Sequence, residues 1–337
     1  MDAPSTDPLA RTLAAIAGWG AAHAAAAIVG PDGVIAMHGD PERSYRWASI
    51  TKLVTGLAVM TALDDGTITL DEPAPPPAPS GATVRHLLAH ASGLPFDGEG
   101  LHGRPGTRRV YSNTGFDVLG DLLGQRDGTG PSAATALNVR VLDPLGMTAT
   151  ELRDRSSQGL RGPLRDLAAF SRELLRPTLV SPATFALATR VAFPALPGVL
   201  PGVGRCDVLD WGLAFELRDD KDPHWTGRTN SPATFGHFGG SGAFLWVDPE
   251  LDRALVCLTD RDYGPWALDA WPGFSDAVIA AISAAGDRRP AAATRGAPTR
   301  PGTIAGAGPP RHAAGATGTD RGPGAPASGN SARPGRR

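Results

Sequence analysis

The hydrophobic pattern divides the 337-residue chain into a strand-like start, a helical middle and a strand-like return. Residues 24–29 and 34–38 are apolar runs joined by Pro31-Asp32-Gly33, a strong turn signal, and they predict a β-hairpin after a short helix ending near Gly18. Residues 53–63 are nearly all apolar, which suits a helix buried on most sides. Asp64-Asp65-Gly66 stops that helix, since Gly66 tolerates the left-handed conformation common at helix ends. A proline-rich connector, Pro73 to Pro79, leads to a short helix from a Thr83 cap to His90. Helical patterns follow at 116–123, 132–147 and, most amphipathic, 164–175, and Ser181-Pro182 opens another helix. From about Leu209 the period moves toward two. Strands are expected at 211–217, 236–247 and 253–259, the last two joined at Asp248-Pro249-Glu250, with 271–284 as a closing helix.

Charge sharpens this picture. The formal net charge is −2, but nine arginines and two aspartates from Gly286 onward give that stretch +7 and leave −9 on the body. An acidic body argues against nucleic acid as the main partner. Residues 286–337 are rich in Pro, Gly, Ala and Arg with almost nothing large and apolar, so a disordered tail is expected. The apolar run from Leu13 to Gly30 is interrupted by Trp19-Gly20 and His23 and has no charged start, unlike a signal peptide. Nothing else approaches a membrane span. Cys206 and Cys257 are too few for a disulfide framework or a cysteine-based metal site. The expectation is a cytoplasmic protein with no membrane partner.

The candidate chemistry begins with lysine. Only Lys52 and Lys221 are lysines; every other basic side chain besides histidine is arginine, which stays protonated in proteins. Lys52 nevertheless sits inside the apolar helix, three residues after Ser49. Ser49 lies at the helix mouth among unpaired backbone N–H groups, and one turn brings the lysine amine within reach of its hydroxyl. Burial lowers a lysine pKa toward the range where the amine accepts a proton. A surface serine beside a snorkelling lysine produces the same string, so the spacing alone does not decide.

Two further runs carry chemistry. Tyr111-Ser112-Asn113 follows a Gly- and Pro-rich loop (91–109), and in extended backbone the phenol and the amide point the same way. The phenol can relay protons and the amide can hold a carbonyl; the bland alternative is a loop tyrosine beside a helix cap. His237-Phe238-Gly239-Gly240 opens a strand, where glycines permit close approach to the backbone; the alternative is a bulge beside a buried histidine. His86 and His90 stand four apart, a spacing that binds zinc, but no third ligand is evident and local packing explains them better. No metal and no cofactor are expected.

Together, serine-x-x-lysine, tyrosine-x-asparagine and histidine-x-glycine in that order resemble the serine hydrolases related to class C β-lactamases. That family includes D-alanyl-D-alanine peptidases and family VIII carboxylesterases. His90-Ala91-Ser92-Gly93-Leu94-Pro95, Pro105-Gly106, Pro144-Leu145-Gly146-Met147 and Gly236-His237 running to Asp248-Pro249 add to the resemblance, which spans about residues 13–284. It implies an α+β, β-lactamase/transpeptidase-like fold: an antiparallel sheet made by the chain ends, flanked by helices, with an inserted, mostly helical domain. The expected organisation is a catalytic domain at 1–285, with a sheet subdomain at 1–46 and 206–285 and a helical one at 47–205, then the tail.

The resemblance also implies roles. Ser49 is the expected nucleophile, Lys52 its proton acceptor and Tyr111 a second general acid or base. Asn113, His237, Gly239 and Gly240 are the expected substrate-binding residues, with the N–H groups of Ser49 and Gly240 as the oxyanion hole. Where β-lactamases of the family have a lysine in the third motif, this chain has His237, which attracts a substrate carboxylate less. The expected substrate is therefore a small ester or amide cleaved through an acyl-enzyme. A D-amino-acid peptide, a weak β-lactamase activity, or a non-catalytic binding role are the alternatives. No Gly-x-Ser-x-Gly elbow of an α/β-hydrolase is present.

Overall fold

The computed structural model describes residues 7–286 apart from 129, 131 and 201–203; the expected tail lies outside the described residues. Its centre is a six-stranded antiparallel sheet. β1 (Ala24–Gly30) and β2 (Gly33–His38) are the hairpin read from the sequence. β3 (Glu216–Leu217), β4 (Phe235–Gly239), β5 (Ala243–Asp248) and β6 (Arg253–Thr259) complete it in the order β2-β1-β6-β5-β4-β3. The two ends of the described chain meet here, with Ala26 opposite His38 on one side and Cys257 on the other.

Successive side chains of these strands enter two different cores. Ala27, Leu245 and Val256 pack under the helical layer, while Ile28, Trp246 and Cys257 face the opposite way. With both faces covered, the strands read as continuous apolar runs rather than alternating ones. That corrects one expectation. The run 236–247 is two strands, broken at a tight turn where the Gly242 N–H donates to the Gly239 carbonyl at 3.0 Å. The expected strand at 211–217 is also shorter, with Trp211 making only an isolated bridge to Glu216.

On one face lie α1 (Pro8–Leu13), capped by the Asp7 carboxylate, and α5 (Pro265–Gly286). The latter starts at Pro265 rather than near 271 and carries Pro272 within it. Leu13, Trp271 and Phe274 join them to the sheet. On the other face lie α2 (Thr51–Asp64), α3 (Asn113–Arg126) and α4 (Leu164–Leu175). The apolar stripe of α4, including Leu167, Phe170 and Leu174, is buried, as its amphipathic pattern required. α2 is enclosed: residues 51–60 are all buried, so its apolarity is not confined to one stripe.

Candidate active site

A single 3₁₀ turn, Ala48–Ile50, places Ser49 at the mouth of α2. Ala48 stands at φ +46, a left-handed conformation that costs free energy for a residue with a Cβ and that clusters at functional sites. The end of β4 abuts this turn. A side chain at Gly239 would collide with the Trp47 carbonyl oxygen, so glycine is needed for the approach. At Gly240 a Cβ would meet nothing within 4 Å, leaving that backbone beside Ser49 open.

Lys52, one turn into α2, has no exposed surface. Its Nζ lies 3.3 Å from Ser49 Oγ, 2.5 Å from Asn113 Oδ1 and 2.9 Å from the Ser157 carbonyl, and 4.7 Å from the centroid of the Tyr111 ring. Burial pushes its pKa down to about 7, against the partial opposition of Asp117 and Asp97. At that value both the amine and the ammonium are populated near neutral pH. The amine form can take a proton from Ser49.

Tyr111 and Asn113 reach the site from the start of α3. Ser112 between them is extended (φ −135, ψ 118) and caps the helix by accepting the Gly115 N–H at 2.9 Å. The Tyr111 hydroxyl lies 3.0 Å from His237 Nε2 and also reaches the Ser49 side chain. His237 Nδ1 accepts the Phe238 N–H at 2.7 Å, so in the neutral ring the proton belongs on Nε2, where it is donated to the Tyr111 oxygen. Burial holds His237 neutral, its pKa lowered to about 3, and raises that of the Tyr111 phenol. The phenol is thus a protonated group with one acceptor position filled, free to donate.

All seven residues singled out in the sequence fall on this one region. His86 and His90, four apart in the sequence, part company. His86 Nδ1 lies 2.9 Å from the Thr83 hydroxyl, closing the cap of the short helix Val84–Leu88. His90 Nδ1 accepts the Ser112 N–H at 3.1 Å, and its ring packs 4.5 Å from that of Tyr111. No group of three or more metal-binding side chains occurs among the described residues.

Sequence reasoning missed the support beneath Lys52. The turn joining strands Glu151–Leu152 and Leu160–Gly162 lies along α2 and bonds to its polar residues. Thr51 Oγ1 accepts the Leu160 N–H at 3.0 Å, Lys52 donates to the Ser157 carbonyl, and Thr55 donates to the Ser156 carbonyl at 2.6 Å. The signal was present: Thr51, Lys52 and Thr55 are buried polar residues in the first half of a mostly apolar helix. Arg109 was also missed. It is buried, and donates to the carbonyls of Ala89 at 2.7 Å, Phe193 at 2.9 Å, Leu209 and Ala192, pinning the segment before Tyr111. Trp211, buried 5.6 Å from His237 and 6.1 Å from Tyr111, walls the same region.

The sheet, its two helical layers and the residues at the mouth of α2 define a β-lactamase/transpeptidase-like fold. The Beta-lactamase family model matches residues 9–275, and the chain belongs to that family. Among solved structures, a beta-lactamase from Mycobacterium bovis is 49% identical over 80% of this chain and 99% of its own, with a TM-score of 0.77. Simvastatin synthase (LovD) from Aspergillus terreus shares the fold at 17% identity, covering 82% and 99%, with a TM-score of 0.66. Among curated relatives, the D-alanyl-D-alanine-carboxypeptidase/endopeptidase AmpH of Escherichia coli is 30% identical over 139 residues, 31% of this chain. The match spans about a third of AmpH, 36% of its length. No helix among the described residues is long and apolar enough to cross a membrane.

Proposed function

We propose that the chain is a serine hydrolase that forms an acyl-enzyme on Ser49 and acts best on small neutral esters. The observation that carries this reading is the enclosed Lys52 amine 3.3 Å from Ser49 Oγ, with its pKa lowered to about 7. In its neutral form Lys52 takes the Ser49 proton as Oγ attacks the carbonyl carbon. The developing oxyanion is held by the backbone N–H groups of Ser49 and Gly240. The Asn113 amide steadies the acyl group. Tyr111, receiving the His237 Nε2–H, passes its own proton to the leaving oxygen. Water then attacks the ester carbonyl of the acyl-enzyme, the proton transfers run in reverse, and Ser49 Oγ leaves with a proton.

The preference for neutral substrates rests on charge. A D-alanyl peptide terminus or a β-lactam presents a carboxylate that needs a cationic partner. The cations around the site are engaged: Lys52 by Ser49, Asn113 and Ser157, Arg109 by four backbone carbonyls, and Arg155 by Asp97 and Asp117. His237 is held neutral. Phe96, 55% exposed and stacked on Tyr111 at 5.9 Å, adds apolar surface at the rim. The second reading, a D,D-peptidase or weak β-lactamase, draws on the Mycobacterium bovis and AmpH relatives.

The test is a side-by-side assay of short-chain aryl esters, a chromogenic cephalosporin and a D-alanyl-D-alanine peptide, with mass spectrometry of the trapped intermediate. Short esters turned over best, with an acyl group on Ser49, is the expected result. Faster turnover of the peptide or cephalosporin would establish the second reading, and no acylation of folded protein would defeat both.

A further inference from the structure

Lys52 has two acceptors besides Ser49, and each is held in turn by a carboxylate. Asn113 donates its Nδ2 to Asp97 at 3.2 Å, which turns Oδ1 toward Lys52. The Ser157 N–H donates to Asp117 at 3.0 Å, fixing the peptide whose neighbouring carbonyl receives Lys52. Asp97 comes from the loop after His90, Asp117 from α3 and Ser157 from the turn beneath α2, so three separate segments converge here. Both carboxylates end on one side chain. Arg155 places Nη1 2.6 Å from Asp97 and Nε 2.7 Å from Asp117, with Nη2 also on Asp117.

We infer that Arg155 is a positioning and charge-balancing residue for Lys52, through Asp97–Asn113 on one arm and Asp117–Ser157 on the other. The inference rests on Lys52 being the base that activates Ser49. Two carboxylates beside an enclosed amine favour its protonated form, which is inactive as a base; one guanidinium shared between them offsets much of that field. Its planar fork meets both at once, which a point-charge ammonium does less well. The remaining groups facing Lys52 are Tyr111, His90 and His237, whose rings are buried and uncharged at neutral pH. Arg155 also borders a surface cavity of about 400 Å³ lined by Asp117, Asp121 and Asp154, so salt reaches the arrangement.

The experiment is the pH profile of kcat/KM for a short aryl ester in the full chain and in Arg155→Met, Arg155→Lys and Asp117→Asn. Removing the guanidinium leaves two carboxylates uncompensated, so the Lys52 titration and the acid limb should move up by roughly one pH unit. Asp117→Asn should move it down, Arg155→Lys should restore most of the parent position, and high salt should shrink every shift. The double variant Arg155→Met/Asp117→Asn should return toward the parent limb, because one cation and one anion leave together. If Arg155→Met does not fold, the downward shift in Asp117→Asn still carries the sign of the effect. Limbs that stay within a few tenths of a unit while kcat/KM falls mean that Arg155 is purely structural, and the inference is overturned. Labelling of Ser49 by a fluorophosphonate separates the two levels: labelling that is pH-dependent but indifferent to Arg155 refutes only this inference, and absent labelling refutes the nucleophile itself.

Discussion

The Tyr111 hydroxyl and His237 Nε2 meet at 3.0 Å, and the Phe238 N–H on Nδ1 fixes which of the two is the donor. The imidazole gives its proton to the phenol oxygen, so the phenol proton is directed toward Ser49 and the leaving group. His237→Lys should keep a donor on Tyr111 and hold ester turnover within about tenfold, a barrier change near 1.4 kcal/mol. It also supplies the cation the pocket lacks, so affinity for carboxylate-bearing β-lactams should rise. His237→Leu removes the donor and adds no cation, and should lower kcat by about 10–100-fold. Unchanged kcat in the leucine variant would show that Tyr111 needs no such partner.

Lys52→Arg retains a long basic side chain but no group that can lose its proton. Activity should fall by about 10³-fold or more, Ser49→Ala should match it, and the double variant should lose little further because the pair acts as a unit. Retention of more than about a tenth of the activity by a folded Lys52→Arg protein would remove Lys52 from the mechanism.

The pH dependence has a definite sign. With the Lys52 pKa lowered to about 7, kcat/KM should climb through that pH as the amine loses its proton. His237 titrates near 3, well below this limb, and the raised Tyr111 pKa removes any early fall on the alkaline side. Stability moves the same way. The unfolded lysine keeps its proton to about 10.4, so between these values the unfolded chain binds more protons and the folded state gains stability as pH rises. Denaturant titrations at pH 7 and 9 should show this gain in the parent and a smaller one in Lys52→Met.

Thr55→Val is nearly isosteric and deletes the hydroxyl that donates to the Ser156 carbonyl at 2.6 Å. A buried acceptor left without its donor costs about 1–3 kcal/mol. For a domain of this size that corresponds to a drop of several degrees in Tm. Because the Ser156–Ser157 turn supports Lys52, kcat should fall more than KM changes. Calorimetry and steady-state kinetics on the same preparation test both parts; an equal Tm would mean the turn is held by Thr51 and Lys52 alone.

Gly239→Ala probes the contact between β4 and the Ser49 turn. The added methyl meets the Trp47 carbonyl oxygen, and either the strand or the turn must shift. Misplacing Ser49 by a fraction of an ångström costs catalysis heavily, so kcat should drop by about 10²-fold with a modest Tm change. Near-parental kcat would show that the two segments are free to separate.

The residues gathered around Ser49 stood out in the sequence because their types are rare for their surroundings: a lysine inside an apolar helix, a histidine before two glycines. α4 was legible because its Leu164–Leu175 stripe has an unambiguous period, and α2 because its continuous apolar run stops at Asp64-Asp65-Gly66. What the sequence hid was arrangement in three dimensions. Gly240–Gly242 was read as strand interior because buried apolar residues flank it closely on both sides, yet the Gly-Gly-Ser-Gly run is where the chain turns. Asp97, Asp117, Arg155 and Ser157 are ordinary polar residues in chain order, and only folding links them to one another and, through Asn113 and the Ser157 carbonyl, to one amine. Arg109 looked like one more arginine, with nothing local to announce four carbonyl partners.

The pairing of Ala26 with Cys257 sets an order on biosynthesis. As the polypeptide leaves the ribosome, β1 and β2 emerge before α2 through α4, yet the strands that cover those helices arrive only after them. Until then the enclosed face of α2 has no sheet to rest on, and the free edge of β1 is a template for wrong partners. Assembly of the pocket around Ser49 is therefore a late event, governed by a long-range closure rather than by local helix formation.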